Sequence, residues 1–421
     1  MNSCIATVAQ MDGTHIVTVE GMQCGDELSP AQEAMRACHA SQCGYCTPGF
    51  VMAMSAMLER HDQADARTAS NYLTGNLCRC TGYAPIVEAA LTVRATERHS
   101  VARRYSDPQS ITDSIASTKL SMLVEYDGTK LFAPVSLREA VTFTAINPET
   151  RVLGAATDIG VHVNKGKPLP TSLLSLHLIP ELYETKLTRT GVTFGSRVTL
   201  AEVRRVSEDV APEFARFLNL FASPQIKNVA TLVGNIANAS PIGDTLPFLL
   251  IAGGEVHVAS RQGAKGVVRK RKIPMTELYV GYKKLSLVPG EIITHISFDR
   301  TGAKDVMSLC KVTQRKDLDI SAVSGAFSLT LKSRSAGGKR KTAPHVVSAR
   351  IAYGGVAATP LRMPEVELAL CGELNQARIE SVALLIAGSL KPISDVRGSA
   401  SYRRVAAANL FRRFGNEVLH G

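Results

Sequence analysis

The N-terminal part of the chain reads as a series of short helices, because apolar residues recur at helical spacing between residues 26 and 98. Ser29–Gln32 predicts the first helix start, with a capping serine, a proline in the first turn and a glutamine that completes a capping box. Thr47-Pro48 opens a second helix, a third leads to Gly75, and Pro85 opens a fourth. We therefore expect an all-α domain of four helices over residues 26–98.

From about residue 131 the pattern changes to short apolar segments that alternate with amphipathic ones. Such alternation predicts strands and helices in turn. The expected strands are Arg151–Leu153, Val192–Phe194, Ser324–Leu331 and Val346–Tyr353, and the expected helices are Glu213–Phe221, Arg378–Ala387 and Tyr402–Phe414. The elements beyond residue 303 are expected to form a separate C-terminal domain.

The whole chain is therefore predicted to be a multidomain α+β protein. Its 421 residues correspond to about three domains of ordinary size. A polar, aperiodic stretch over residues 99–125 reads as a linker after the helical domain. We place two α+β domains after this linker, at residues 126–302 and 303–421.

The composition argues against membrane insertion and against export. The longest apolar runs, Leu246–Ala252 and Val382–Ala387, fall far short of the roughly 20 residues that span a bilayer. The first ten residues lack the basic and apolar regions of a signal peptide. Nine cysteines without an export signal are typical of a reducing compartment, where close cysteine spacing indicates metal binding rather than disulfides. We expect a cytoplasmic protein with no membrane partner.

The positive charge of the chain does not by itself indicate nucleic-acid binding. The formal net charge is +11, and the densest basic runs are Arg269–Lys272 and Lys339–Lys341, each beside a glycine-containing turn. Tryptophan is absent and aromatic residues do not interleave with the basic ones, so no base-stacking surface is indicated. We interpret both runs as solvated hairpin tips and expect no nucleic-acid partner.

Four cysteines carry the most specific chemical signal in the sequence. Cys43 and Cys46 form a CxxC pair, and Cys78 and Cys80 form a CxC pair after a helix-sized insert. This spacing is expected to bring four thiolates to one point, which suits an iron–sulfur cluster or a structural zinc ion, although zinc more often uses two CxxC pairs. The cysteines outside this spacing are interpreted as small buried apolar residues: Cys24, Cys38, Cys310 and Cys371.

Two segments rich in small residues lie in the middle domain and are candidates for phosphate binding. Leu153–Gly160 follows a predicted strand, and Gly234–Asp244 lies further along the chain. Small residues let backbone N–H groups approach phosphate oxygens. Neither segment matches G-x-G-x-x-G, so a Rossmann nucleotide site is not indicated. Ordinary tight turns would explain either segment alone, but beside a candidate redox metal the two favour a flavin.

With these motifs, the sequence resembles a known family, the molybdenum hydroxylases. His39–Phe50 and Gly75–Ile86 are similar to the cysteine motifs of the helical [2Fe–2S] domain in that family. Thr231–Pro247 resembles its flavin-binding segment, and Tyr279–Lys284 with Lys311–Val323 continues the similarity. The resemblance implies an FAD-binding domain of the PCMH or vanillyl-alcohol-oxidase type, followed by a C-terminal domain of the CO dehydrogenase flavoprotein type.

The resemblance also implies ligands, position by position. The four motif cysteines would hold the [2Fe–2S] cluster nearest the molybdenum, and Gln42 would touch the pterin of a partner subunit. Lys316, Asp317 and Asp319 would lie on a loop near the flavin and the NAD⁺ site. Phe221 would pack on the flavin ring, although a core phenylalanine explains it equally well. The implied FAD-contacting positions are Leu153, Gly154, Ala155, Ala156, Thr157, Asp158, Ile159, Gly160, Phe221, Thr231, Gly234, Asn235, Asn238, Asp244, Ile293 and Lys311.

By the same resemblance, the chain is an electron-transfer partner and carries no catalytic residue of the hydroxylation. Hydroxylation would occur at molybdopterin-bound molybdenum in a large subunit, in an α2β2 assembly, and electrons would pass through the cluster and FAD to NAD⁺. Fusion of the iron–sulfur and flavin parts in one chain favours the purine-oxidising members. A subunit of an aldehyde or N-heterocycle hydroxylase, and a zinc-stapled binding module without a redox role, are the alternatives.

Three departures from the family pattern affect these expectations. Ala155 follows Gly154 where the family usually has a glycine pair, and Leu318 interrupts the carboxylates of the acidic loop. The ferredoxin domain of the family is represented only by residues 1–25, in which Cys4 would be the single remaining ligand of a second [2Fe–2S] cluster. We interpret this as a truncated gene model or a fragment whose Met1 is an internal start, and we expect poor coupling to the large subunit.

Overall fold

The chain forms two compact units in the computed structural model. The first consists of Met1–Leu120 with Ser223–Lys227, and the second of Ser121–Ala222 with Asn228–Gly421. Each unit has its own buried apolar core. Among the described helices, none combines the length and the apolar composition needed to cross a bilayer. The structure describes residues 1–105, 120–263, 267–316, 318–332 and 343–421.

The first unit is built from short helices whose starts follow the sequence prediction. Ser29 and Gln32 form the predicted capping box, with the Ser29 N–H donating to Gln32 Oε1 at 2.8 Å. Pro48 and Pro85 lie in the first turns of their helices. The helices are α1 (Pro30–Ala37), α2 (Thr47–Leu58), α3 (Ala66–Leu73), α4 (Ala84–Thr92) and α5 (Val101–Arg104), with the short helix Pro224–Lys227 and 3₁₀ turns at Ser3–Ile5, Val8–Gln10, Glu20–Met22 and Glu97–His99.

Helix α2 lies at the centre of the first unit. Phe50, Met54 and Met57 of α2 and Ile86 of α4 are almost completely buried. Burying one such side chain stabilises the fold by about 1.5–3 kcal/mol relative to leaving it exposed. This core holds the N-terminal ends of α2 and α4, and therefore the two loops that carry the motif cysteines.

The second unit begins with a four-stranded sheet and two helices. These elements are β1 (Met122–Tyr126), β2 (Thr129–Ala133), α6 (Leu137–Ile146), β3 (Arg151–Leu153), α7 (Thr157–Asn164) and β4 (Ser172–Ser175). The strand order is β1-β2-β4-β3, with an antiparallel β1–β2 hairpin and with β4 parallel to both β2 and β3. Parallel neighbours require crossover connections, which α6 and α7 provide. Helix α7 therefore begins at the carboxyl end of β3, where open α/β sheets bind ligands.

A five-stranded antiparallel sheet follows. Its region contains β5 (Thr185–Leu187), β6 (Gly191–Gly195), α8 (Leu200–Val210), α9 (Pro212–Asn219), α10 (Leu232–Ala237), α11 (Leu246–Ile251), β7 (Glu255–Gln262), β8 (Val267–Pro274), α12 (Met275–Leu278), the hairpin of β9 (Tyr279–Gly281) and β10 (Lys284–Leu285), and β11 (Ile292–Asp299). The strand order is β5-β6-β11-β7-β8. Phe214 stacks on Phe248 at a centroid distance of 3.9 Å, and Phe298 meets both rings edge-on. These aromatic contacts fix α9 and α11 on β11.

The C-terminal part of the second unit is a sheet covered by two long helices. It contains β12 (Asp305–Val312), β13 (Val323–Leu331), β14 (His345–Gly354), β15 (Leu361–Arg362), α13 (Pro364–Leu370), β16 (Gly372–Glu373), α14 (Gln376–Ser389) and α15 (Ala400–His420). Strand order is β12-β13-β14-β15, with β16 also pairing with β14. Phe327 and Tyr353 of the sheet pack with Phe411 and Phe414 of α15 in the core. The two strands and two helices predicted for this region are confirmed.

Two sequence-based boundaries differ from the structure. The helix predicted over Glu213–Phe221 ends at Asn219, because the backbone leaves the helical path and Ala222 adopts a φ of 57°. Phe221 therefore lies in a turn. The stretch over residues 99–125 contains α5 and most of β1 at its ends, and residues 106–119 of it lie outside the described residues.

The first basic run is not a hairpin tip. Arg269–Lys272 lies inside β8, where alternating side chains of an edge strand remain in contact with water. Arg271 forms a two-point ion pair with Glu291, with both N···O distances 2.7 Å. Two residues of this run therefore have carboxylate partners, Arg271 with Glu291 and Lys272 with Glu255. Lys339–Lys341 lies outside the described residues.

The five-stranded sheet carries a histidine pair that makes its stability depend on pH. His257 of β7 faces His295 of β11 with ring centroids 5.9 Å apart, and His257 Nε2 lies 2.9 Å from Ser297 Oγ. Burial, followed by the charge of Lys272, lowers the pKa of His257 to about 4. The unfolded chain, with an ordinary histidine pKa of about 6.5, binds this proton more tightly. The contribution of His257 to the free energy of unfolding is therefore fully present above about pH 6.5 and is lost as the pH drops toward 4.

We expect this loss to be about 1 kcal/mol, because the half-exposed ring is partly screened by solvent. A His257→Gln variant should lose less stability than the wild type between pH 6.5 and 4.5, measured by urea unfolding at each pH. His345→Gln, at an exposed position of β14, serves as the control and should follow the wild type. Parallel pH profiles for wild type and His257→Gln would contradict the prediction.

Candidate functional site

The four motif cysteines lie on two loops of the first unit, each directly before a helix. Cys43 and Cys46 precede α2, and Cys46 is its N-cap residue. Gly44 between them adopts a φ of 78°, a left-handed conformation that glycine reaches without strain. Cys78 and Cys80 precede α4. Because α2 and α4 belong to one core, the two loops lie side by side.

Contacts between the two loops bring the four thiols close to one another. Cys43 Sγ and Cys80 Sγ are 3.3 Å apart, and the thiols of Cys46 and Cys78 hydrogen-bond to each other. Each pair takes one cysteine from each loop. In the part of the chain that the structure describes, no three His, Cys, Asp or Glu side chains are grouped as around one ion. These contacts bring together the four cysteines that the spacing singled out, and their role as metal ligands stays a prediction.

Hydrogen-bond donors surround the sulfurs. The backbone N–H of Tyr45 holds the pKa of Cys43 below its ordinary value. Thr81, whose Oγ1 lies 3.1 Å from Cys78 Sγ, lowers the pKa of Cys78 to about 7. Burial raises the pKa of Cys46 to about 11. Metal binding removes the proton from every ligand thiol, and the donors beside the sulfurs stabilise the resulting charge.

Four neighbouring thiols on two loops provide the ligand set that a [2Fe–2S] cluster needs. A [2Fe–2S] cluster takes four thiolates, two for each iron, whereas a structural zinc ion takes four around one centre. The residues present therefore fit a [2Fe–2S] cluster, which the four motif cysteines would hold. Of the other cysteines expected to be buried, one is buried, Cys310, and three are half-buried, Cys24, Cys38 and Cys371.

Large apolar side chains are exposed beside this site. Tyr45 is 95% exposed and Leu77 is 81% exposed. Both lie on the cysteine loops, next to Cys46 and Cys78, and Gln42 on the same surface is also exposed. Exposed apolar residues around a chemical site are typical of a surface that binds another protein.

The first candidate flavin segment, Leu153–Gly160, forms the turn from β3 into α7. Ala156 adopts a φ of 53°, and the Gly160 N–H closes the first helical bond to the Ala156 carbonyl at 2.8 Å. The left-handed position of this turn is therefore Ala156. No described side-chain oxygen caps the start of α7, so its first-turn N–H groups are available to an anion such as phosphate.

A buried arginine supports this turn. Arg197 is 6% exposed and donates from Nη1 to the carbonyl of Gly154. Its Nε donates to Tyr183 Oη at 3.2 Å, and its Nη2 lies 3.3 Å from His177 Nδ1. The contact fixes Gly154 and places a cation near the start of α7. Sequence reasoning missed Arg197, although a single charged residue inside the segment FGSRVTL was an available signal.

Thr231 connects the two candidate flavin segments. Its Oγ1 accepts a hydrogen bond from the Gly234 N–H at 2.9 Å, and a Cβ added to Gly154 would lie 3.2 Å from the same oxygen. The structure therefore brings Gly154, Thr231 and Gly234 together. Asn235 joins this group, because its N–H donates to the Thr231 carbonyl at 3.1 Å, and its Oδ1 accepts from Thr245 Oγ1 at 2.6 Å.

Asp244 and Lys311 form a buried ion pair at the end of the second segment. Their Oδ2 and Nζ atoms are 2.7 Å apart, and the side chains are 7% and 8% exposed. Lys311 Nζ also donates to the Asp319 carbonyl at 2.8 Å, and Asp244 Oδ1 accepts from Ser321 Oγ. Residues predicted from distant parts of the sequence therefore form one network, to which sequence reasoning did not assign Ser321.

The other predicted flavin positions lie in separate elements. Phe221 is half-buried in the turn after α9, and Asn238 is the C-cap residue of α10. Ile293 is buried in β11, beside a register shift in its pairing with β7. None of these three takes part in the hydrogen bonds described above among the described residues.

In the predicted acidic loop, the carboxylate of Asp319 accepts a hydrogen bond from the backbone of the same loop. Asp319 Oδ2 accepts from the Arg315 N–H at 2.9 Å, and this hydrogen bond lowers the pKa of Asp319. Lys316 is exposed, and Leu318 adopts a φ of 50°. Asp317 lies outside the described residues. The contact of this loop with Lys311 is therefore made by the Asp319 carbonyl and not by its carboxylate.

These features fit a flavin dinucleotide. The open start of α7, with Gly154 and Thr231, would hold the pyrophosphate, because backbone N–H groups and hydroxyls there can donate to phosphate oxygens. The Asp244–Lys311 pair would present paired charges to the polar groups of the ligand. The remaining positions, Phe221 and Ile293 among them, would supply apolar contact.

Comparison with protein families defines the class of the chain. Residues 18–91 match a [2Fe-2S] binding domain, and residues 126–299 match the FAD binding domain in molybdopterin dehydrogenase. Residues 308–418 match the CO dehydrogenase flavoprotein C-terminal domain. The chain is therefore an iron–sulfur flavoprotein of the electron-transfer class.

Curated relatives define the family more closely. Xanthine dehydrogenase from Drosophila subobscura is 29% identical over 97% of this chain and 34% of its own length. Xanthine dehydrogenase/oxidase from Gallus gallus is 26% identical over 99% of this chain and 35% of its own length. The chain thus spans about a third of the length of these relatives. With its three domain matches in order, it is similar to the iron–sulfur and flavin parts of the molybdenum hydroxylases.

Solved structures share the fold. CO dehydrogenase from Oligotropha carboxidovorans superposes with a TM-score of 0.60 at 24% identity, over 68% of this chain and 96% of the other. Quinoline 2-oxidoreductase from Pseudomonas putida 86 gives 0.60 at 21% identity, over 70% and 98%. The predicted multidomain α+β fold with a CO dehydrogenase flavoprotein-type C-terminal domain is confirmed.

Proposed function

We propose that this chain is the electron-transfer subunit of a xanthine dehydrogenase. In the proposed reaction, xanthine, water and NAD⁺ give urate and NADH. The chain passes electrons from a molybdenum centre in a partner subunit, through the [2Fe–2S] cluster and FAD, to NAD⁺. The observation that carries the proposal is the presence, in one chain, of two paired thiol sites and a flavin-binding network. The xanthine dehydrogenases among its relatives support the choice of substrate.

The residues of this chain supply position and electrostatics for that role. When bound, the cluster carries single electrons, whereas FAD exchanges one or two and can deliver a hydride. The Tyr45 N–H and Thr81 Oγ1 stabilise negative charge on the cysteine sulfurs. Lys311 neutralises Asp244 inside the flavin site, so that neither charge is buried alone.

The partner is proposed to bind on the exposed surface beside the motif cysteines. Tyr45 and Leu77 offer apolar area there, and Gln42 offers an amide. A molybdopterin-binding large subunit on this surface would shield the cysteine loops from water and complete an α2β2 hetero-oligomer. The same contact would bring the molybdenum centre of the partner close to the [2Fe–2S] cluster.

A second candidate is the same electron-transfer role in an aldehyde or N-heterocycle hydroxylase. This second candidate is supported by the fold that the chain shares with quinoline 2-oxidoreductase and CO dehydrogenase. The pocket that selects the organic substrate would belong to the partner, so the residues of this chain do not discriminate. A zinc-stapled module is less well supported, because structural zinc more often uses two CxxC pairs and the Asp244–Lys311 network would then have no role.

A visible spectrum of the full chain, purified without oxygen together with its large subunit, tests the proposal. We expect flavin bands over a broad iron–sulfur absorption, with NADH bleaching the flavin and xanthine bleaching the iron–sulfur absorption. Bleaching by quinoline or an aldehyde but not by xanthine would transfer the assignment to the second candidate. A colourless protein with one zinc ion would contradict both.

A further inference from the structure

Arg403, a buried arginine of the C-terminal helix α15, connects two loops beside the Asp244–Lys311 ion pair. Only 2% of the Arg403 side chain is exposed. Its Nη1 donates to the carbonyls of Ala322 and Gly355, both at 2.9 Å. Its Nη2 donates to Asp395 Oδ1 at 2.6 Å. The guanidinium therefore holds two backbone carbonyls that are far apart in the sequence.

The first of these carbonyls belongs to the loop that orients Asp244. Ala322 follows Ser321, whose hydroxyl donates to the Asp244 carboxylate. The Ala322 N–H in turn donates to the Val312 carbonyl at 2.8 Å, next to Lys311. A displacement of Ala322 would therefore move both groups that hold the Asp244 carboxylate.

The second carbonyl belongs to the segment that supports the Asp244 loop. The Gly355 N–H donates to the Pro241 carbonyl at 2.8 Å, three residues before Asp244. Gly355 has a φ of 80°, and a Cβ there would lie 2.5 Å from the Ala322 carbonyl oxygen and 3.3 Å from Arg403 Nη1. The two loops thus touch without room for a side chain, and Arg403 bonds to both.

Asp395 supplies the charge that lets a guanidinium stay buried here. It lies in a turn closed by its own N–H, which donates to the Gly398 carbonyl at 3.1 Å. The Arg397 N–H donates to the same Asp395 oxygen at 2.8 Å, which fixes the carboxylate. A buried cation without such a partner would be strongly unfavourable. Asp395 therefore sets where Arg403 can lie.

We propose that Arg403, oriented by Asp395, is a positioning residue of the flavin site. It acts on Asp244, Lys311 and Ser321 through the Ala322 and Gly355 carbonyls and touches none of the three side chains itself. Its role is to fix the distance between the loop that carries Asp244 and the loop that carries Ser321. The inference rests on the proposed function, because it takes FAD as the ligand.

Variants of the full chain, stripped of FAD and titrated with it, test this role. Arg403→Met removes the bridge and should raise the FAD Kd about tenfold or more, since one hydrogen bond from a charged group accounts for such a change. Arg403→Lys keeps the charge but cannot form the fork, so an intermediate Kd is expected. Asp395→Asn should also weaken binding. Arg404→Met, on the neighbouring half-exposed position of the same helix, is the matched control with wild-type Kd.

A second readout separates positioning from simple stability. At saturating FAD, the shape of the flavin absorption band and the rate of bleaching by NADH should differ from wild type in Arg403→Met and return toward it in Arg403→Lys. Wild-type Kd and spectrum in a folded Arg403→Met would overturn the proposal. Should that variant not fold, unchanged values in Arg403→Lys and Asp395→Asn would overturn it equally. A wild type that binds no FAD would instead refute the proposed function itself.

Discussion

Replacing Cys78 by serine is expected to abolish the iron–sulfur absorption of the protein while leaving its flavin bands in place. Cys78 is buried, pairs with Cys46 and accepts a hydrogen bond from Thr81. Serine offers a hard, protonated oxygen where a soft thiolate is needed, and the loss of one ligand leaves one iron incompletely held. Iron content and the visible spectrum of the purified full chain measure the effect.

Cys38→Ser provides the matched control for this change. Cys38 lies in the same unit and is half-buried, and its Sγ lies 4.0 Å from Thr92 Oγ1. This variant should keep its iron and its spectrum. Two irons per chain in Cys78→Ser would remove the assignment of that sulfur as a ligand, whereas iron loss in both variants would indicate general unfolding of the unit.

Replacing Asp244 by alanine is expected to destabilise the second unit by about 3–5 kcal/mol and to release FAD, because it leaves a buried ammonium group without its counter-charge. Lys311 is only 8% exposed, so water cannot easily replace the lost carboxylate. In the double variant Asp244→Leu with Lys311→Met, both charges are removed, and much of the stability should return although FAD binding should not. Urea unfolding of the flavin-free wild type, Asp244→Ala and the double variant measures their free energies of unfolding.

The exposed pair of Lys272 and Glu255 is the control for burial. Its N···O distance is 3.1 Å, but the side chains are 57% and 39% exposed. Lys272→Met should cost less than about 1 kcal/mol, because exposed ion pairs contribute little. A similar loss of unfolding free energy for Lys272→Met and Asp244→Ala, or a double variant no more stable than Asp244→Ala, would contradict the role of burial in the Asp244–Lys311 pair.

Local signals predicted the helix starts well, because capping depends on residues within one turn. Ser29 and Gln32 make the predicted capping box, and Pro48 and Pro85 lie in first turns as expected. The cysteine spacing predicted which sulfurs belong together. It could not predict how they pair, since that depends on the packing of α2 against α4, which brings Cys43 to Cys80.

Long-range contacts account for what sequence reasoning missed. Arg403 lies 81 residues from the carbonyl it binds in Ala322, and in the sequence it resembles any other arginine of an amphipathic helix. Arg197 is hidden in the same way, since its partner Gly154 is 43 residues away. The basic run in β8 was misplaced because a glycine-containing turn and an edge strand both tolerate charge, and only the pairing with β7 distinguishes them.

The sulfurs of Cys43 and Cys80 are 3.3 Å apart, close enough either to bind iron together or to form a disulfide. The hydrogen bond from Tyr45 lowers the pKa of Cys43 and so favours its thiolate, the form that also reacts with oxidants and disulfides. A disulfide between these two residues would consume one sulfur from each loop and close the site to iron. Iron binding and disulfide formation would therefore compete for the same two sulfurs.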